Sequence, residues 1–141
     1  MNYPKIIKQL QKESLIDERG LICHSYRTYS SSSNMNKKIC NDKMMPSFML
    51  LSINEDKLNI SYAGGFGGFK KYYASFKLAN LVYQQKENVD KLVDCYQFSV
   101  LDDEKTYLGE FYIIILKHKK EAEKLIDIGC GQRTHWCVKR R

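Results

Sequence analysis

Between residues 47 and 116 apolar side chains return at every second position in a series of short runs, and such a chain needs a sheet with one face turned to a core. Leu58, Ile60 and Tyr62 alternate with Asn59 and Ser61; Tyr72, Ala74 and Phe76 share one side of their run; Tyr96, Phe98 and Val100 oppose Cys95, Gln97 and Ser99. The tracts Asn54-Glu55-Asp56-Lys57 and Asp102-Asp103-Glu104-Lys105 supply turn chemistry between neighbouring runs. Strands are predicted over residues 21–29, 47–53, 58–63, 70–76, 81–85, 94–101 and 106–116. The last is apolar on both faces in its second half, as a strand partly covered on both sides would be.

Two segments change the period. Ile6, Ile7, Leu10 and Leu15 fit one helical face, with Lys5, Lys8, Gln9, Gln11, Lys12 and Glu13 on the remainder, so a short helix ending near Ser14 is expected. After Lys117, Ala122, Leu125 and Ile126 recur three and four apart beneath Lys119, Lys120, Glu121, Glu123 and Lys124, and Gly129 is read as the stop. Residues 30–45 form a long connection, of a length that is usually mobile or functional. The chain, at 141 residues, has the size of one domain, which divides as an N-terminal helical extension over 1–20, a mainly β (α+β) domain over 21–128 and a basic tail over 129–141.

The order and spacing of these segments resemble a pleckstrin-homology-like domain, of the small bacterial and GRAM-type kind. The resemblance is carried by the hairpin from Phe48 through Asn54-Glu55-Asp56-Lys57 to Tyr62, by the strand, turn and strand from Tyr72 to Tyr83, and by the strand and Lys-rich helix from Tyr107 to Ile126. It implies a partly open barrel of about seven antiparallel strands, in two sheets, capped at one end by the C-terminal helix. It also implies a ligand-binding or membrane-surface role. Two features depart from the family: Trp136 falls beyond the C-terminal helix, and the basic pattern of its phosphoinositide-binding members is represented by Arg27, then Lys37, Lys38 and Lys43.

Charge sharpens the choice of partner. Residues 129–141 hold Arg133, Lys139, Arg140, Arg141 and no acid, so the other 128 residues carry only +3 of the +7 total. A domain this close to neutral argues against nucleic acid, which would have to engage the tail. Five cysteines in irregular spacing do not form a secreted disulfide framework, no signal-peptide pattern opens the sequence, and a cytoplasmic location is expected.

The most unusual stretch is Gly64-Gly65-Phe66-Gly67-Gly68-Phe69-Lys70-Lys71. Its glycines free the backbone, Phe66 and Phe69 can enter an interface, and Lys70 and Lys71 can meet anionic head groups; alternatively it is a hairpin connection whose phenylalanines fold back on the sheet. It lacks the Gly-Lys-Ser/Thr ending of a nucleotide loop. Arg27, Lys37, Lys38 and Lys43 form a second basic set, read either as an anion site at the barrel mouth or as ordinary solvated side chains.

Chemistry has less to draw on. Cys23 and His24 are adjacent, so in a strand they face opposite ways and cannot act as nucleophile and base. The gap between Cys130 and Cys137, with His135 between them, is a poor match to zinc knuckles, and turn formation accounts for Asp102, Asp103 and Glu104. The reading is therefore a non-enzymatic binding module without a cofactor, meeting anionic lipid through basic loops. A module for a protein partner, using a strand edge or the groove beside the C-terminal helix, is the alternative.

Overall fold

In the computed structural model, residues 3–25, 27–30, 48–88, 91–116 and 120–131 are described. The elements are α1 (Tyr3–Lys12), β1 (Ile22–Ser25), β2 (Arg27–Ser30), β3 (Met49–Asn54), β4 (Lys57–Ala63), β5 (Phe69–Lys77), a 3-10 turn (Leu78–Asn80), β6 (Leu81–Asn88), β7 (Val93–Leu101), β8 (Tyr107–Leu116) and α2 (Lys120–Gly131). The strands form two antiparallel sheets, β1-β3-β4-β5 and β2-β8-β7-β6. The protein is mainly β, as the alternation requires, with a short helix near each end.

The first predicted strand is divided between the sheets. Ile22 to Ser25 pair with Ser52 to Met49 of β3, and Arg27 to Ser30 pair with Ile114 to Phe111 of β8. At the corner the Ser25 hydroxyl lies 3.3 Å from both the carbonyl oxygen and the amide nitrogen of Ile114, donating to one and accepting from the other. Diagonally opposite, the 3-10 turn joins β5 to β6. Leu78 N–H donates to the Asp56 carbonyl at 2.7 Å, so this crossing is fixed to the β3–β4 turn.

The main core lies between the sheets. Met49, Leu51, Ile53, Leu58, Ile60, Ala74 and Phe76 come from one, and Leu81, Tyr83, Tyr96, Phe98, Val100, Phe111, Ile113 and Ile115 from the other. Phe76 and Phe111 meet across the layer with ring centroids 4.5 Å apart. Ala122, Leu125 and Ile126 of α2 belong to the same core, and α2 packs against β1 and β6. Glu121 and Glu123 in its first turn complement the helix dipole. The helix runs through Gly129 to Gly131 instead of stopping at the first glycine, because glycine weakens a helix without forbidding it.

A second, smaller core covers the other face of the first sheet. Ile6 and Leu10, four apart and so on one side of α1, pack with Leu15, Ile16, Ile22 and Leu50. Strand β3 therefore has two apolar faces: Met49, Leu51 and Ile53 point into the main core while Leu50 lies beneath α1. The helix ends in a Schellman arrangement, with Ser14 left-handed (φ 56°), Leu15 N–H donating to the Leu10 carbonyl at 3.0 Å and Ser14 N–H to that of Gln11 at 3.1 Å. Polar groups then fix the turn between α1 and β1. The Leu15 carbonyl accepts from Ser52 Oγ (2.7 Å) and Asn59 Nδ2 (3.1 Å), and the Asp17 carboxylate from Glu55 N–H (2.7 Å) and Arg19 Nη2 (2.7 Å). No helix among the described residues is long and apolar enough to cross a membrane.

Candidate functional site

Where α1 passes the connection between β4 and β5, the surface opens into a groove of about 570 Å³. Ile6 and Phe48 give it apolar walls, Phe66 stands at its rim, Lys5 and Gln9 line it from the helix, and Gly65, Gly67 and Gly68 form the opposite side. None of its lining residues is acidic, and α1 carries three lysines without a carboxylate.

The glycine segment is held at several points. Gly64 N–H donates to the Gly68 carbonyl at 2.8 Å and Gly67 N–H to that of Gly64 at 2.9 Å, folding the loop on itself. Gly67 takes φ 87°, a left-handed conformation that glycine adopts without the clash a side chain would bring. Gln9 Oε1 then accepts from Phe69 N–H at 3.2 Å, joining loop to α1. His24 Nε2 lies 2.7 Å from the Gly67 carbonyl, joining loop to β1. The His24 ring is buried, stacked on Phe48 with centroids 5.0 Å apart at 13° and tilted against Tyr3 at 6.1 Å.

This anchoring separates the two phenylalanines. Phe69 sits opposite Ala63 at the start of β5 and packs on the smaller core, as the folded-back reading requires. Phe66, at the loop tip, is 99% exposed. Lys70 and Lys71 are exposed just beyond it, and the Lys71 ammonium lies 5.5 Å from the centroid of the Tyr62 ring. The structure thus brings Phe66, Lys5 and the glycines to one groove, with Lys70 and Lys71 on the adjoining strand. Of the second basic set, Arg27 occupies a backbone position in β2 opposite Ile114, and Lys37, Lys38 and Lys43 lie outside the described residues.

The remaining chemistry-bearing residues are tied up elsewhere. Cys23 is in the main core, on the opposite face of β1 from His24, and burial pushes its thiol up to about 12. Asp102 Oδ1 accepts from the amides of Glu104 and Thr106, both at 2.9 Å. Asp103 accepts from Lys77 at 3.1 Å and Asn80 at 2.9 Å, and these donors lower its pKa. The tail cysteine and histidine, Cys137 and His135, lie outside the described residues. Sequence reading missed Lys5, Ile6, Gln9 and Phe48 as members of the groove, and His24 as an anchor of its loop. The one signal available was the excess of Lys5, Lys8 and Lys12 over Glu13 on the polar side of the predicted helix.

The chain matches no protein-family model, no curated protein and no solved structure.

Proposed function

We propose that the protein is a small binding module that meets an anionic lipid surface through the tip of the β4–β5 loop and the lysines around it. The observation that carries this reading is a phenylalanine 99% exposed on a loop fixed at Gln9 and His24, with Lys5 beside it in the groove and Lys70 and Lys71 on the strand beyond. An aromatic side chain held out of contact with its own core is placed to enter the interface between head groups and acyl chains. A lysine near an anionic leaflet contributes about 1 kcal/mol, and burial of one phenylalanine about 2 kcal/mol. Three lysines and Phe66 together then give weak, reversible attachment, with a Kd of about 10⁻⁴ M.

The two four-stranded sheets, the first strand shared between them and α2 packed on β1 and β6 support reading the fold as a pleckstrin-homology-like, partly open barrel. A strand-edge contact with another protein is less well supported. Among the described residues β5 is an edge strand, and it carries Lys70, Lys71 and Lys77, a charge pattern that discourages a further strand from pairing there.

Sedimentation with vesicles tests the proposal. Pelleting is expected with vesicles rich in phosphatidylserine or phosphatidylglycerol, little with phosphatidylcholine alone, and much less after Phe66→Ala or Lys70→Glu/Lys71→Glu. Equal and negligible pelleting with both vesicle types overturns it.

A further inference from the structure

The exposed ring and the lysines account for attraction to a surface, but not for a groove beside them. A surface contact needs no concavity of 570 Å³, a volume in the range of small-molecule sites. We propose that the groove between α1 and the β4–β5 loop receives one acyl chain of an anionic lipid drawn from the membrane, its head group held outside by Lys5. The inference rests on the surface-binding reading and adds to it a site for an individual lipid.

Two properties of the groove select this occupant. Ile6 and Phe48 offer hydrocarbon walls, with Phe66 at the rim, which a hydrated ion or polar metabolite would not fill, so the ligand has an apolar body. Among the described residues, the charge on its lining and on the adjoining helix has one sign. Lys5 lines the groove, Lys8 and Lys12 lie further along the exposed side of α1, and neither α1 nor residues 64–71 contribute a carboxylate, so the ligand carries a negative head. The fixed loop makes the cavity pre-formed, which lowers the ordering cost of binding. One anionic chain fits both properties, whereas a free phosphate satisfies only the second.

The test uses dodecyl phosphate below its micelle concentration, read by amide chemical shifts on the full chain. Shifts confined to the amides of Gly65, Phe66, Gly67 and Gly68 and to α1 are expected. Shortening the probe from dodecyl to decyl should weaken binding about tenfold, since each buried methylene contributes several-fold. Dodecyltrimethylammonium and inorganic phosphate should bind far more weakly. A Cβ on Gly65 meets nothing within 4 Å, so Gly65→Trp is compatible with the fold and should obstruct the groove, weakening dodecyl phosphate by about tenfold or more. Affinity independent of chain length, equal binding of the cationic detergent, or unchanged affinity in Gly65→Trp each overturns the groove assignment. If vesicles pellet the protein but dodecyl phosphate shifts none of these amides, the groove proposal falls and the surface reading stands; if vesicles do not pellet it either, both fall.

Discussion

His24 Nε2 stands 2.7 Å from the carbonyl oxygen of Gly67, a bond between residues 43 apart in sequence that ties the loop bearing Phe66 to the first strand. Gly67 is itself buried, so without the imidazole its carbonyl would lose this partner away from water. His24→Phe, which keeps the ring against Phe48, should cost about 1–3 kcal/mol in urea unfolding and speed hydrogen exchange in residues 64–69. Unchanged exchange there would show that the bond does not hold the loop.

Leu10 is fully buried in the smaller core, and Leu10→Ala is expected to lower global stability by about 2–5 kcal/mol, measured by denaturant titration. A helix that was only an appendage would unfold separately and leave the main transition in place. At its end, Ser14→Gly should stabilise by about 0.5–1 kcal/mol, since glycine takes φ 56° without strain.

Ser61 is fully buried, and its hydroxyl has no hydrogen-bond partner among the described residues. Ser61→Ala removes that unsatisfied group at the cost of one small polar atom. We expect unchanged or increased stability, by up to about 1 kcal/mol, with no change in vesicle binding. A loss above about 1 kcal/mol would mean that the hydroxyl has a partner in solution.

The Asp17 carboxyl is brought down to about 2, first by its hydrogen bond from the Arg19 guanidinium and further by the amides of Glu55 and Arg19, against burial, which opposes the shift. The folded value lies below the unfolded one, so this stabilisation is fully present above pH ~4 and is lost as the pH falls through the folded value. Asp17→Asn should therefore destabilise the protein at pH 7 and flatten its stability curve between pH ~4 and ~2. A parallel curve for the variant would remove the carboxylate as a cause of acid unfolding.

With its thiol raised to about 12 by burial, Cys23 should remain unmodified by iodoacetamide in the native protein at pH 8 and react on unfolding, as read by peptide mass mapping. Ready labelling of the native chain would place it outside the core.

The strands were legible because period-two alternation is a local signal: Leu58, Ile60, Phe98 and Val100 all point where the pattern puts them. The second core was not read, although the unbroken apolar run Met49-Leu50-Leu51 is the mark of a strand covered on both faces. The groove was half visible. Glycines and aromatics singled out residues 64–71, but which phenylalanine stays outside depends on strand register, since Phe69 pairs with Ala63 and Phe66 lies in the turn. Lys5, His24 and Phe48 reach the loop through tertiary packing, which no spacing in the chain encodes.

The division of the first strand also bears on the order in which the protein can assemble. Strands β3–β5 and β6–β8 each form a meander from neighbours in sequence, with partners close at hand. Pairing β2 with β8 closes a loop spanning most of the chain, and the Ser25 bridge to Ile114 crosses 89 residues. Loop-closure entropy opposes that step until both meanders exist, so the docking of the divided N-terminal strand is expected late in folding.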